Sequence, residues 1–193
     1  MFGTRPALLP RRAGLPAAPE RRRLDRWVTG IWRTPVHEDL KRGGPLIARA
    51  ADHAGFELKD SMKVVLEEHS FAFLDLGPET SDPVDYPDMA EKLAAAFEHG
   101  RAQQGLLVCG TGIGIAIAAN RYPWIRAAVC HDVTASRLAR EHNDLNVLAL
   151  GARLIGPEVA RDCLLTFLKT PFAGGRHARR VAKLSSLVPQ RAT

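Results

Sequence analysis

One alternation constrains the fold more than any other feature of the chain. Five short apolar runs, at residues 46–51, 71–76, 105–109, 125–130 and 146–150, are separated by segments whose apolar residues recur every three or four positions. Residues 55–69 predict a helix with Phe56, Leu58, Met62, Val65 and Leu66 supplying its apolar surface. Pro87 suits the first turn of a second helix reaching about residue 100, on which Met89, Leu93, Ala96 and Phe97 share a face. Further helices are expected over 113–121, 133–142 and 157–168, and from 175–176 to about 187. Regular alternation of strand and helix is a βαβ series. Right-handed crossovers then place helices on both faces of a parallel sheet. The expected fold class is therefore α/β, a three-layer α/β/α sandwich around a five-stranded, Rossmann-like parallel sheet. Such sheets bind ligands at the carboxyl ends of their strands. Those ends carry Asp52-His53, the loop 77–86, Cys109-Gly110-Thr111, His131-Asp132 and Gly151-Ala152-Arg153.

Charge divides the chain in a second way. The formal net charge of the 193 residues is +6. Residues 1–45 hold ten basic and four acidic side chains, and the remainder balances. The basic excess thus belongs to an amino-terminal extension, 1–45, and not to the α/β domain, 46–187, or to the short tail, 188–193. Pro6, Pro10, Pro16 and Pro19 exclude a regular helix in the first part of that extension. Residues 20–32 fit one short helix with Leu24, Trp27, Val28 and Ile31 near one face. The composition reads as a largely disordered basic tail. A docking segment, a phosphate-attracting tether and a start assigned too far upstream remain alternatives. A secretory signal lacks its apolar stretch, and the prolines fit a mitochondrial presequence poorly. No apolar run reaches about 18 residues, so no membrane-spanning helix is expected. Three cysteines, Cys109, Cys130 and Cys163, form an odd set without metal-like spacing. They point to a reducing, cytoplasmic compartment and to neither a disulfide framework nor a metal.

The sharpest chemical segment is Cys109-Gly110-Thr111-Gly112-Ile113-Gly114-Ile115, where a strand ends, three glycines alternate and a helix begins. Glycines let a ligand approach the backbone, and free N–H groups there face negative charge. A tight turn that merely needs flexible residues is the plainer alternative. A dinucleotide site is the best-known rival, but its third glycine would come one residue later, and this is the third βα unit. That rival gains from Asp132, placed where a ribose-binding acid would sit, and leaves Cys109 without a role. A cysteine before a helix amino terminus is favoured as thiolate. Beside N–H groups able to hold an oxyanion, it suits proton abstraction next to a carbonyl. Thr111 adds a hydroxyl, whereas Cys130 and Cys163 lie in apolar surroundings and read as core. Asp52 is either a helix cap or, with His53, a polar ligand for a sugar. His142 near a helix carboxyl end can also simply complement the dipole. Arg176 and Arg180 stand one turn apart and suit a phosphate; a solvated basic helix end is the alternative.

Together these segments resemble the ribose-5-phosphate isomerase type B family, which includes the galactose-6-phosphate isomerase subunits. The resemblance rests on 51–55 (Ala-Asp-His-Ala-Gly), Asp85-Tyr86-Pro87, the 109–115 loop with Ala118-Ala119-Asn120, 140–148 from Arg140-Glu141-His142-Asn143, Gly151-Ala152-Arg153, and Gly174-Gly175-Arg176-His177 with Arg180-Val181. It covers roughly residues 46–187 and none of 1–45. It implies a cofactor- and metal-independent aldose–ketose isomerase of sugar phosphates, ribose 5-phosphate foremost, with four- and six-carbon sugars open. It also implies a homodimer or tetramer with the active site between subunits, and no nucleic-acid or membrane partner. Carried onto this chain, Cys109 resembles the base moving the proton between C1 and C2, and no acid stands at Ile113–Gly114 to replace it. Thr111 with Gly110, Gly112 and Gly114 resembles the enediolate cradle. His142 resembles the ring-opening group. Asp52, Tyr86 and Asn143 resemble sugar-hydroxyl contacts, and Arg153, Arg176 and Arg180 phosphate ligands with His53 close by. Arg49 departs from the pattern inside an otherwise apolar strand. Facing an outer layer, pairing with an acid and contacting substrate are its three expectations.

Overall fold

A computed structural model describes residues 45–186, so the predicted extension up to residue 44 and the tail at 188–193 lie outside the described residues. The elements alternate as expected: β1 (Ile47–Ala51), α1 (Phe56–Glu68), β2 (Phe73–Asp75), α2 (Tyr86–Glu98), β3 (Gln104–Cys109) and α3 (Ile113–Ala119), then β4 (Ala127–Val129), α4 (Val133–Asn143), β5 (Val147–Gly151), α5 (Pro157–Lys169) and α6 (Arg176–Ser186). All strand pairings are parallel, in the order β2-β1-β3-β5-β4. The winding direction reverses between β1 and β3, and ligands bind at such reversals. The crevice there lies between Ala51-Asp52 and Cys109-Gly110, since Ala51 pairs with Val108.

Side chains alternate across the strands. Leu106, Val108, Leu148 and Leu150 point to one face, where Leu58, Met62 and Leu66 of α1 and Leu164 and Phe167 of α5 cover them. Fully burying each such side chain contributes about 1.5–3 kcal/mol. On the other face Gly105 leaves room for α2, because a Cβ there would fall 2.9 Å from Leu93 Cδ1. Both edge strands are shorter than their apolar runs. Residues 122–125 close a turn before β4 begins, with Ile125 donating to the Tyr122 carbonyl. Beyond β2, Leu76 still donates to Arg49 O, and Ala51 to Gly77 O, carrying the ladder into the following loop.

Arg49 pairs with an acid. Its side chain is 2% exposed and turns toward α1, donating to the Lys59 carbonyl at 2.7 Å and to the Asp75 carboxylate. Lys59, 1% exposed, donates from Nζ to Asp75 at 2.9 Å and to the Pro78 carbonyl at 2.9 Å. Burial pulls both cations below their ordinary pKa values, and Asp75 opposes that pull. Two cations therefore share one carboxylate beneath the loop that follows β2. Cys130 and Cys163 are core residues, as expected. Burial pushes their thiols up to about 12 and about 11.

Candidate active site

Predicted site residues gather in two groups, one at each edge of the sheet. At the carboxyl edge Cys109 ends β3, almost fully buried, and its Sγ accepts the Gly112 N–H at 3.0 Å. Gly112 makes this possible by adopting φ 76°, a left-handed conformation that costs a side-chain-bearing residue energy. A Cβ on it would also lie 3.0 Å from the Leu150 carbonyl carbon. Thr111 is exposed, and its Oγ1 accepts the Ile113 N–H at 3.3 Å.

The loop after β5 is tied to this turn. Ala152 donates to Cys109 O at 2.9 Å, and Arg153 to Gly110 O at 3.0 Å. The Arg153 guanidinium lies over Gly110, where a Cβ would come 3.4 Å from Nε. Tyr86, the first residue of α2, lays its ring against Gly114, where a Cβ would come 3.0 Å from Cζ. Across the crevice, Asp52 Oδ1 accepts the Gly55 N–H at 2.9 Å and so caps the 3₁₀ turn His53–Gly55. The exposed His53 approaches Val84 O through Nδ1 at 3.3 Å. Asp132, the acid of the dinucleotide alternative, accepts the Ala135 N–H at 2.8 Å and caps α4.

The second group is at the amino edge. Helix α4 runs back along the sheet, so its last residues, His142 and Asn143, lie beside the start of β5. Asp144 there takes the Arg126 guanidinium at 2.7 Å, and Arg126 directly precedes β4. The His142 ring stacks on His177, centroids 4.3 Å apart and planes 3° from parallel. His177 lies in the first turn of α6 with the exposed Arg176 and Arg180. Partial burial, then the charges of His142, Arg176 and Arg180, hold the His177 imidazole below its ordinary pKa. A strand of five residues rises about 16 Å. One chain therefore brings Asp52, His53, Tyr86, Cys109 to Gly114 and Arg153 together, but leaves His142, Asn143, Arg176 and Arg180 at the other edge.

Chemically, the carboxyl edge offers a sulfur with an N–H aimed at it, a neighbouring hydroxyl and an aromatic wall. The amino edge offers two imidazoles and two guanidinium forks. Among the described residues no cluster of three or more His, Cys, Asp or Glu is arranged to hold a metal ion, and no helix is long and apolar enough to cross a membrane. Sequence reasoning missed His177 as a partner of His142, and missed Lys59 and Asp75 altogether. The signal for Lys59 was its spacing, one turn before Met62 on the buried side of α1.

Known proteins share this fold. The model of the ribose/galactose isomerase family matches residues 47–184. Ribose-5-phosphate isomerase B of Escherichia coli is 41% identical over 145 residues, 75% of this chain and 97% of that protein. The D-erythrulose-4-phosphate isomerase of Pectobacterium atrosepticum is 42% identical over 140 residues, 72% of this chain and 91% of that one. The crystal structure of ribose 5-phosphate isomerase B from Thermotoga maritima superposes with a TM-score of 0.72 at 48% identity, covering 74% of this chain and 99% of that one.

Proposed function

The chain belongs to the ribose/galactose isomerase family and is a sugar-phosphate isomerase, and from that premise we propose that it interconverts ribose 5-phosphate and ribulose 5-phosphate with Cys109 as the base. The observation that carries this assignment is the Gly112 N–H donated to Cys109 Sγ at 3.0 Å. This bond holds the sulfur in the glycine loop at the end of β3, beside the crevice. The sulfur takes the proton from C2 of the open-chain aldose, leaving an enediolate, and returns it to C1 while the hydroxyl proton passes from O2 to O1. The Thr111 hydroxyl and the backbone N–H groups of the 110–114 loop other than those of Gly112 and Ile113 stabilise the enediolate oxygens. His142 opens the sugar ring. Asp52, Tyr86 and Asn143 bind hydroxyls, and Arg153, Arg176 and Arg180 take the phosphate with His53 near it. The phosphate lies remote from the reacting carbons, so its binding energy positions the substrate.

These roles fall on both edges of the sheet, so a complete site needs two chains. Support comes from α3, which carries exposed Ile113 (51%) and Ile117 (53%) one turn apart, next to the site. A second copy covering that face would bring its own His142 and arginines to Cys109 and would exclude water. The assembly proposed is a homodimer or a tetramer of dimers. The three cysteines are free, which fits the cytoplasm.

The test is turnover of a sugar-phosphate panel without added cofactor. Ribose 5-phosphate should give the highest kcat/KM. A higher value for erythrulose 4-phosphate, the four-carbon sugar named for the Pectobacterium relative, or for galactose 6-phosphate would overturn the substrate assignment. Titration with NAD or ATP should release no heat.

A further inference from the structure

The loop from Gly77 to Asp85 joins β2 to α2 and delivers Tyr86 to the site. Glu79, Thr80, Ser81, Asp82 and Pro83 are all exposed, so the loop gains little from burial. It is held at its ends instead. At its start Gly77 N–H donates to Asp75 Oδ1 at 3.0 Å, and the Pro78 carbonyl accepts Lys59 Nζ at 2.9 Å. At its finish Val84 O lies 3.3 Å from His53 Nδ1. The anchor at the start is the firmer one. Lys59 is 1% exposed on a helix packed into the core, and its ammonium is also fixed by Asp75. A charge-assisted bond from a desolvated ammonium to a carbonyl is strong, and it refers the loop's origin to the frame of α1.

We infer that Lys59, bound to Asp75 and the Pro78 carbonyl, is a positioning residue that sets where the Tyr86 ring meets the sugar. It touches no substrate. It acts through the loop, and the inference rests on the assignment of Tyr86 to the sugar site. The charge pattern also shows which variant stays folded. Removing Lys59 leaves Arg49 and Asp75 as a balanced pair. Removing Asp75 would leave Lys59 without a carboxylate partner and Arg49 with only the exposed Asp60 at 3.8 Å. Lys59→Met is therefore the informative change.

The experiment is a double-mutant cycle on the full-length enzyme with ribose 5-phosphate, combined with amide hydrogen exchange across residues 77–86. Lys59→Met should raise KM about tenfold, while proton exchange at saturating substrate stays within about twofold. Exchange of the loop amides should quicken by about tenfold, and Lys59→Arg should restore both. In a Tyr86→Ala background the same substitution should change kcat/KM by less than about twofold, because the residue it acts through is gone. Equal losses in both backgrounds, or loop exchange unaltered by Lys59→Met, would overturn the inference. So would a Tyr86→Ala enzyme with unchanged KM. Turnover of the panel by the wild-type chain separates any of these outcomes from failure of the isomerase assignment itself. Should Lys59→Met not fold, Lys59→Gln, which keeps an N–H donor without the charge, runs the same cycle.

Discussion

The two edges of the sheet hold their functional groups by different means. At the carboxyl edge the backbone does the holding. Cys109 receives an N–H from Gly112, and the main chains of 109–110 and 152–153 are bonded to each other. At the amino edge side chains stand on helix ends, with His142 stacked on His177 and Arg176 and Arg180 exposed. The contrast matches two different demands. A group that removes and returns a proton must stay within a fraction of an ångström of its carbon, which suits a strand end locked by neighbouring strands. A guanidinium that meets a phosphate works through charge and two forked donors, and it tolerates a longer, more mobile mounting.

The sharpest way to break this comparison is to remove the sulfur. Cys109→Ala should lower both turnover and exchange of the substrate C2 proton with solvent by about a thousandfold, with the fold intact by circular dichroism. Exchange at the wild-type rate would end the role of Cys109 as base. A smaller loss, about a hundredfold, is expected for His142→Ala, and the informative step is to mix the two inactive chains. If each site takes one edge from each chain, random reassociation makes half the dimers mixed, each with one intact site, and activity recovers to about a quarter of wild type. No recovery would place both edges of a working site in one chain. The smallest effect concerns the other two cysteines. At pH 8 an alkylating reagent should label Cys109 and spare Cys130 and Cys163, whose thiols burial holds protonated to about 12 and about 11. In the unfolded chain those thiols ionise near their ordinary value of 9.0. The unfolded state therefore loses protons first as pH rises, and stability should decline from that point upward. Cys130→Ala and Cys163→Ala should each flatten the decline in alkaline melting curves.

Much of the architecture was legible because each strand is a nearly unbroken apolar run bounded by turn residues. The order of the strands was not. Periodicity places residues on faces but does not name neighbours, and nothing in residues 146–150 announces that β5 lies between β3 and β4. The carboxyl-edge group followed from the fold rule alone, since a parallel sheet collects its strand ends on one side. The separation of His142 from Cys109 also follows from chain direction, once α4 is known to run back along the sheet. Asp52 shows a limit of another kind. It caps a 3₁₀ turn and borders the crevice, and a sequence offers those two uses as rivals when one carboxyl group can serve both. Lys59 was hidden because an amphipathic pattern predicts a lysine at the surface. The acid of β2 and the Pro78 carbonyl, both over α1, make its burial tolerable.

That trio of Arg49, Lys59 and Asp75 also governs the order in which this part of the molecule can change. Either cation can be replaced first, because the other still matches the carboxylate. Asp75 is the costliest to lose first, since its loss leaves buried Lys59 without a carboxylate and Arg49 with only the exposed Asp60 at 3.8 Å. A lineage drifting toward an apolar β1, or one arriving at Arg49 from an apolar ancestor, must therefore keep the acid until its last basic partner leaves with it. History at these positions is directional, and the substitution that reads as mildest, Asp75→Asn, is the one that must wait.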